Sequence, residues 1–229
     1  MRIHYLQHVP FEGLGTIEGT LRARGARIHC TKLYAGEKFP PLDEFDALVI
    51  MGGPMSVHDE ALLPWLAEEK RFVRNAVQAG KRVLGICLGA QILSEVLGGK
   101  VLPNAFREVG WFPVTKRSEC SSSALADFFP DEILAFHWHG ETFSIPDGAQ
   151  LLASSTGCRN QGFVWNERVV ALQFHLEMTM QGARDLIRHC AADLDDALYV
   201  QDAQTMLAER ANFTAINAAM DTLLRRWLA

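Results

Sequence analysis

KRVLGICLGAQILSEVLGG, residues 81–99, passes from a β-branched apolar segment straight into a helical pattern, with a cysteine between two glycines at the junction. RVLGI (82–86) reads as a buried strand and LGAQILSEVLGG (88–99) as the helix that leaves it. Gly85-Ile86-Cys87-Leu88-Gly89 therefore marks a sharp strand-to-helix turn. The central side chain of such a turn is driven into strained torsions and stands above the carboxyl edge of the sheet, and small neighbours relieve the crowding. The amino end of the helix then lies beneath the sulfur, where its dipole and free N–H groups favour a thiolate. The backbone N–H of Leu88 is left available to a developing oxyanion.

The same alternation extends outward from this turn. RIHYLQH (2–8) predicts a first strand, TIEGTLRARG (16–25) a helix closed by Gly25, and ARIHCTKLY (26–34) a second strand. DALVIMGG (46–53) is a buried strand ending in glycines, followed by the amphipathic pattern of DEALLPWLAEEKRFVRNAVQAG (59–80). Near-continuous apolar strands separated by helices predict an open, mostly parallel sheet covered on both faces. EVGWFPVTKR (108–117), ILAFHWHG (133–140), AQLLASS (149–155), QGFVWN (161–166) and RVVALQFHLE (168–177) are short strands with turn residues between them, a small antiparallel extension leading back into the main sheet. GARDLIRHCAADLD (182–195) and the run 203–229 read as C-terminal helices. A boundary near Asp193 divides residues 1–193 from a helical appendage, 194–229, whose Leu and Met stripe packs against the body or a second subunit.

With 229 residues, 48% of them hydrophobic, the chain can bury a substantial core. A formal charge of −5 gives no electrostatic reason to expect nucleic acid. No apolar run approaches a membrane-spanning length, and MRIHYLQHVPFEG lacks the plan of a signal peptide. The five cysteines are odd in number, widely spaced and free of C-x-x-C pairs, which argues against a disulfide framework and for a reducing, cytoplasmic setting.

A thiol nucleophile needs a proton acceptor, and QFHLE (173–177) supplies one. His175 and Glu177 sit two apart on the expected strand, so both emerge on one face, and the carboxylate can orient the imidazole. Gly52 and Gly53 follow a buried strand in MGGPMSVHD (51–59), and their backbone can approach a substrate closely as an oxyanion donor. His137 and His139 form an H-x-H pair, but no third donor is evident nearby, and neither a metal nor a cofactor is expected. In the first loop, HVPFEGLG (8–15), His8 and Glu12 are candidates to border a cleft.

With VIMGGPMSV, GICLGAQ and QFHLE following one another along the chain, residues 1 to 190 resemble the class I glutamine amidotransferases, the triad type with a cysteine nucleophile, which have a flavodoxin-like α/β fold. The surroundings HVPFEG, EVGW and FHWHGET are most similar to stand-alone members related to the glutaminase domain of GMP synthase. The resemblance implies hydrolysis of the glutamine side-chain amide to glutamate and ammonia. It implies Cys87 as nucleophile, His175 and Glu177 as its partners, and Gly53 and Leu88 as oxyanion donors. It also implies Gly52, Gln91, His139 and Gly140 as substrate contacts, and a synthetase partner that accepts the ammonia. Leu176 stands where the family usually has proline, so altered loop geometry is expected there. The chain carries neither a P-loop nor a G-x-G-x-x-G unit for ATP chemistry of its own.

Two other readings stay open. The same thioester chemistry would serve a γ-glutamyl amide or peptide hydrolase, and a catalytically silent regulatory module would keep the fold without needing all three of Cys87, His175 and Glu177. The family of the Parkinson-associated protein also presents a cysteine on an elbow, but its acidic partner precedes the turn and QFHLE would have no role there.

Overall fold

The computed structural model describes residues Met1 to Ala229. The apolar runs of the first half become strands β1 (Arg2–Gln7), β2 (Arg27–Lys32), β3 (Ala47–Ile50) and β4 (Arg82–Ile86), with helices α1 (Thr16–Ala23), α2 (Trp65–Gln78) and α3 (Leu88–Val96). The second half supplies β5 (Val101–Lys116), β6 (Glu132–Phe143), β7 (Ala149–Ser154), β8 (Gly162–Trp165) and β9 (Val169–Leu172). Helices α4 (Met180–His189), α5 (Ala203–Ala208) and α6 (Arg210–Trp227) follow. All nine strands form one sheet, ordered β2-β1-β3-β4-β9-β8-β7-β5-β6. From β2 to β9 the pairing is parallel, and from β9 to β6 it is antiparallel. This is the open parallel sheet with an antiparallel extension that the sequence pattern predicts.

The continuous apolar strands are explained by burial on both faces. Along β3, Ala47 and Val49 join one hydrophobic cluster while Leu48 and Ile50 join the other. β4 divides in the same way, with Leu84 and Ile86 on one side and Val83 on the other. The first cluster is covered by Ile17 and Leu21 of α1 and by α6, the second by Phe72 and Val73 of α2 and Leu93 of α3. Each such fully buried aliphatic side chain contributes roughly 1.5–3 kcal/mol of transfer free energy, so neither helical layer is dispensable.

Several boundaries differ from the sequence reading, among them the start of α2, which is Trp65 rather than residue 59, and of β5, which is Val101 rather than residue 108; three others bear on the C-terminal half. The strand drawn through QFHLE ends at Leu172, because β8, its antiparallel partner, runs out at Gly162. The helix expected over 182–195 begins earlier, where the Thr179 hydroxyl caps Gly182 N–H, and stops at His189. The final run is broken at Glu209, whose extended backbone (φ −111°, ψ 101°) separates α5 from α6. Phe213, Ile216, Met220, Leu223 and Trp227 of α6 lie in the same cluster as Ile3 and Leu84, so this stripe packs on the body of the sheet. The Trp227 indole donates to the Arg168 carbonyl (2.9 Å), and Asn217 Nδ2 donates to the carbonyls of Leu176 (3.0 Å) and Met178 (2.9 Å).

Asn217 is thus the tie between the last helix and the segment after β9. Asn217→Ala should cost about 1–2 kcal/mol by leaving two carbonyls without their donor, read as a lower urea midpoint with unchanged m value. An unaltered midpoint would show that other contacts hold the segment.

Candidate active site

Between β4 and α3 the chain turns within one residue. Cys87 takes φ 53° and ψ −107°, a conformation that a side chain other than glycine adopts only when its surroundings impose it. Its N–H donates to the Leu172 carbonyl of β9 (2.7 Å), and its carbonyl accepts from Ala90 (3.0 Å) and Gln91 (3.1 Å), closing the first turn of α3. The flanking glycines are required by closeness rather than by φ. A Cβ at Gly85 would run into the Gly89 carbonyl, and a Cβ at Gly89 would collide with the Ile50 carbonyl. The helix is therefore pressed against the sheet edge, and the sulfur is presented above it.

His175 reaches this sulfur from beyond the end of β9. Its N–H donates to the Phe136 carbonyl of β6 (2.8 Å), the one bridge that pins it. The strand-face argument for pairing His175 with Glu177 is thus replaced by a turn, but the pair forms: imidazole Nδ1–H donates to Glu177 Oε1 at 2.6 Å. That fixes Nε2 as the nitrogen available to Cys87. Burial pushes the His175 pKa down, but the Glu177 charge and hydrogen bonds to Cys87 and Glu177 outweigh it and hold it well above its ordinary value. Leu176, in the position where proline was expected, is buried in the core. The turn around it is held by Asn217 and by Thr16 N–H donating to the Glu177 carbonyl (3.0 Å).

A cavity of about 330 Å³ opens over the pair, and Cys87, His175, Gly53, Gln91, His139 and Gly140 all line it. Gly52 lies beside the pair without lining the cavity: a Cβ there would stand 3.4 Å from His175 Cε1 and 3.5 Å from Cys87 Cβ and would collide with Glu12 Oε2. At Gly53 a Cβ would meet Leu88 Cδ2 at 3.2 Å, which places the two expected oxyanion residues side by side. The Gln91 amide is anchored to Gln173 Oε1 (3.2 Å).

The first loop contributes more than a border. His8 is fully enclosed and sits behind the glycines rather than in the cavity; Nδ1–H donates to the Gly52 carbonyl (3.0 Å) and Nε2–H to Glu69 Oε1 of α2 (2.9 Å). Both nitrogens donate, in keeping with a pKa raised by Glu69 against the lowering effect of burial. Glu12 does line the cavity, and burial pushes its pKa up to about 7, moderated by His175 and His8. Arg107, Trp138 and Asp193 of the cavity wall were not foreseen. They meet through long-range contacts, the Trp138 indole donating to Asp193 Oδ2 (2.9 Å) and Arg107 pairing with Asp193 and Asp195, for which the sequence offers no local signal.

The H-x-H pair requires a correction. Glu108 of β5 is the third donor that seemed to be missing: its carboxylate, His137 Nδ1 and His139 Nε2 lie within 4.8 Å of one another, all buried. The carboxylate is already engaged by Ser155 Oγ (2.6 Å) and Gln161 Nε2 (2.6 Å), and the outer ring nitrogens donate to the Phe112 and Glu141 carbonyls. As built, the cluster is a polar knot joining β5 and β6 to the residues leading into β8. It fixes His139 at the cavity wall.

The family model described as "Glutamine amidotransferase class-I" matches residues 15–193. The chain belongs to the class-I glutamine amidotransferase family. It is 35% identical to the glutamine amidotransferase-like protein YfeJ of Salmonella typhimurium, over 86% of this chain and 84% of that one. It is also 35% identical to the glutamine-hydrolysing GMP synthase of Teredinibacter turnerae, over 60% of this chain but only 27% of that protein's length. The crystal structure of a glutamine amidotransferase from Thermotoga maritima superposes with a TM-score of 0.91 at 30% identity, covering 100% of this chain and 98% of that one. No helix of this amidotransferase is long and apolar enough to cross a membrane.

Glu12 gives a signed test of this electrostatic arrangement. Between its ordinary carboxylate value and about 7, the folded protein keeps a proton that the unfolded chain has lost, so stability falls as pH rises through that window. Glu12→Gln removes the penalty. Its melting temperature should match wild type near pH 5 and exceed it by a few degrees at pH 8; an equal offset at both values would contradict the raised pKa. Gly89→Ala, by contrast, should destabilise at every pH, because the clash is with backbone that cannot turn aside.

Proposed function

We propose that the protein hydrolyses the side-chain amide of glutamine through a γ-glutamyl thioester on Cys87. The observation that carries this reading is the junction of three groups: a thiol on a strained elbow, an imidazole lining the same cavity and held above its ordinary pKa by that thiol and by Glu177, and a carboxylate 2.6 Å behind the imidazole. Cys87 gives its proton to His175 and attacks the amide carbon. The backbone N–H groups of Gly53 and Leu88 receive the oxyanion, and Gly52 leaves room for the substrate beside the pair. His175 returns the proton to the departing nitrogen, then takes one from water, which cleaves the thioester to glutamate. Glu177 holds the imidazole in the tautomer that this exchange needs. Gln91, His139 and Gly140 hold the amino-acid end.

Ammonia released in this way passes to a synthetase, in keeping with the 35% identity to a glutamine-hydrolysing GMP synthase over 27% of that protein's length. The breadth of the cavity, about 330 Å³, favours a second reading beside the first, in which the departing nitrogen carries a substituent and the enzyme is a γ-glutamyl amide hydrolase.

Purified protein should release ammonia and glutamate from glutamine, with Cys87→Ala inactive. Equal activity of the two proteins would overturn Cys87 as the nucleophile, and silence of both on glutamine and on γ-glutamyl amides would favour a silent module. His175→Ala should lower kcat by several orders of magnitude, and Glu177→Gln by less, because it orients the base rather than transferring the proton.

Alkylation gives an independent check. Burial pushes the thiols of Cys30, Cys120 and Cys158 up and that of Cys190 to about 11, so all four are protonated at neutral pH. Iodoacetamide at pH 6.5 should label Cys87 first, and His175→Ala should abolish that preference. Uniform labelling of the five cysteines would contradict it.

A further inference from the structure

Behind the catalytic pair lies a second cavity of about 200 Å³ that the thioester mechanism does not use. It shares two wall residues, Glu12 and Leu186, with the cavity over Cys87, so these side chains form the partition between the two. Its other walls include Glu177, Asp185 and Met178, and no lysine, arginine or histidine lines it. At the amino end of α4 the Thr179 hydroxyl accepts from Gly182 N–H (3.0 Å), and Gln181 Nε2 donates to both oxygens of Asp185 (3.1 and 3.2 Å), an exchangeable neutral partner for that carboxylate.

Of the two carboxylates beside this cavity, Glu177 is buried and incompletely satisfied and Glu12 is half-buried and untethered. Glu177 is 3% exposed, and while Oε1 accepts from His175, its Oε2 is buried with no hydrogen-bond partner. The Glu12 carboxylate reaches the space above Gly52, beside His175 Cε1, and makes no hydrogen bond that would tether it. A buried carboxylate oxygen without a donor is costly and calls for one to arrive.

We propose that this second cavity is the leaving-group subsite of the thioester reaction, that Glu12 is its gate, and that it selects γ-glutamyl amides whose amine portion carries a second, protonated amino group. The inference rests on the γ-glutamyl amide reading above and narrows it. The departing nitrogen must lie beside His175 to receive its proton, and Glu12 is the neighbouring wall. A substituent on that nitrogen therefore leads past Glu12 into a cavity whose ionisable groups are carboxylates. The chemistry balances without a further reactant. The C–S bond forms to give the tetrahedral oxyanion, which collapses with loss of the C–N bond; the thiol proton leaves on the amine, and water releases glutamate from the thioester. Glu12 and Asp185 meet the distal ammonium and are specificity residues; neither touches the reacting atoms.

The test compares the γ-glutamyl amides of propylamine and 1,3-diaminopropane, which share a chain length and differ in the terminal cation, with glutamine as reference. Glutamate release should give a kcat/KM about tenfold higher for the diamine amide, an advantage equal to a single charge interaction of modest strength. In Asp185→Asn and in Glu12→Gln the ratio between the two amides should fall towards one. The ratio is read within each variant, so a loss of folded protein does not mimic the effect. Hydrolysis of glutamine with both amides refused, or with both treated alike, would overturn the subsite and leave the thioester reading standing. Silence on all three substrates would overturn the thioester reading itself.

Discussion

Everything at this site depends on how closely α3 is pressed against the sheet. The carbonyl of Ile50 in β3 occupies the space where Gly89 would carry a Cβ, and the Gly89 carbonyl does the same to Gly85. With helix and strand locked at that distance, the residue between them has no relaxed conformation available and Cys87 is held at φ 53°. Backbone strain of this kind persists only where the surroundings over-determine it. The over-determination here comes from packing against apolar strands on both sides of β4. The position of the sulfur is therefore a consequence of core density, and its chemistry inherits the rigidity of the fold.

Sheet order does the rest of the assembly. β9 inserts beside β4 in parallel register, with Leu172 opposite Ile86, so the residues that leave β9 emerge at the edge where the elbow stands. The antiparallel extension then serves as scaffolding: Phe136 of β6 receives the His175 N–H, and Trp138 offers its carbonyl 3.6 Å from the Cys87 sulfur. The glycine wall on the other side is held from behind by the enclosed His8–Glu69 pair. A buried ion pair is a poor source of net stability. Its value here is positional, because the imidazolium donates to the Gly52 carbonyl and fixes the peptide leading into Gly53.

What could be read from the sequence was what the chain encodes locally. The elbow follows from two glycines about a cysteine, the parallel core from uninterrupted apolar runs, and the histidine–glutamate pair from letters two apart. The element boundaries that failed were those set by a distant partner. β9 ends where β8 ends, and nothing within QFHLE announces it. Glu108 escaped notice as the companion of His137 and His139 because the three meet only through β5–β6 pairing, in which Glu108 lies opposite His139. The wall formed by Arg107, Trp138 and Asp193 was invisible for the same reason. Glu12 was visible as a polar loop residue, but its environment depends on enclosure, which a loop's composition does not encode.

The distribution of charge around His175 then has a functional logic. One carboxylate, Glu177, is bonded to the ring and keeps it basic; the other, Glu12, is close enough to influence it but is held near neutrality by burial. Two ionised carboxylates against one imidazole would favour imidazolium so strongly that the proton would be reluctant to leave for the amine. A cation entering the space beside Glu12 would favour its ionised form against the burial that raises its pKa. An ammonium product or a protonated substituent would thus draw out the countercharge that receives it, while the resting imidazole feels mainly Glu177. Separate environments allow two similar side chains, one tethered and one free, to act on the same ring without competing for its proton.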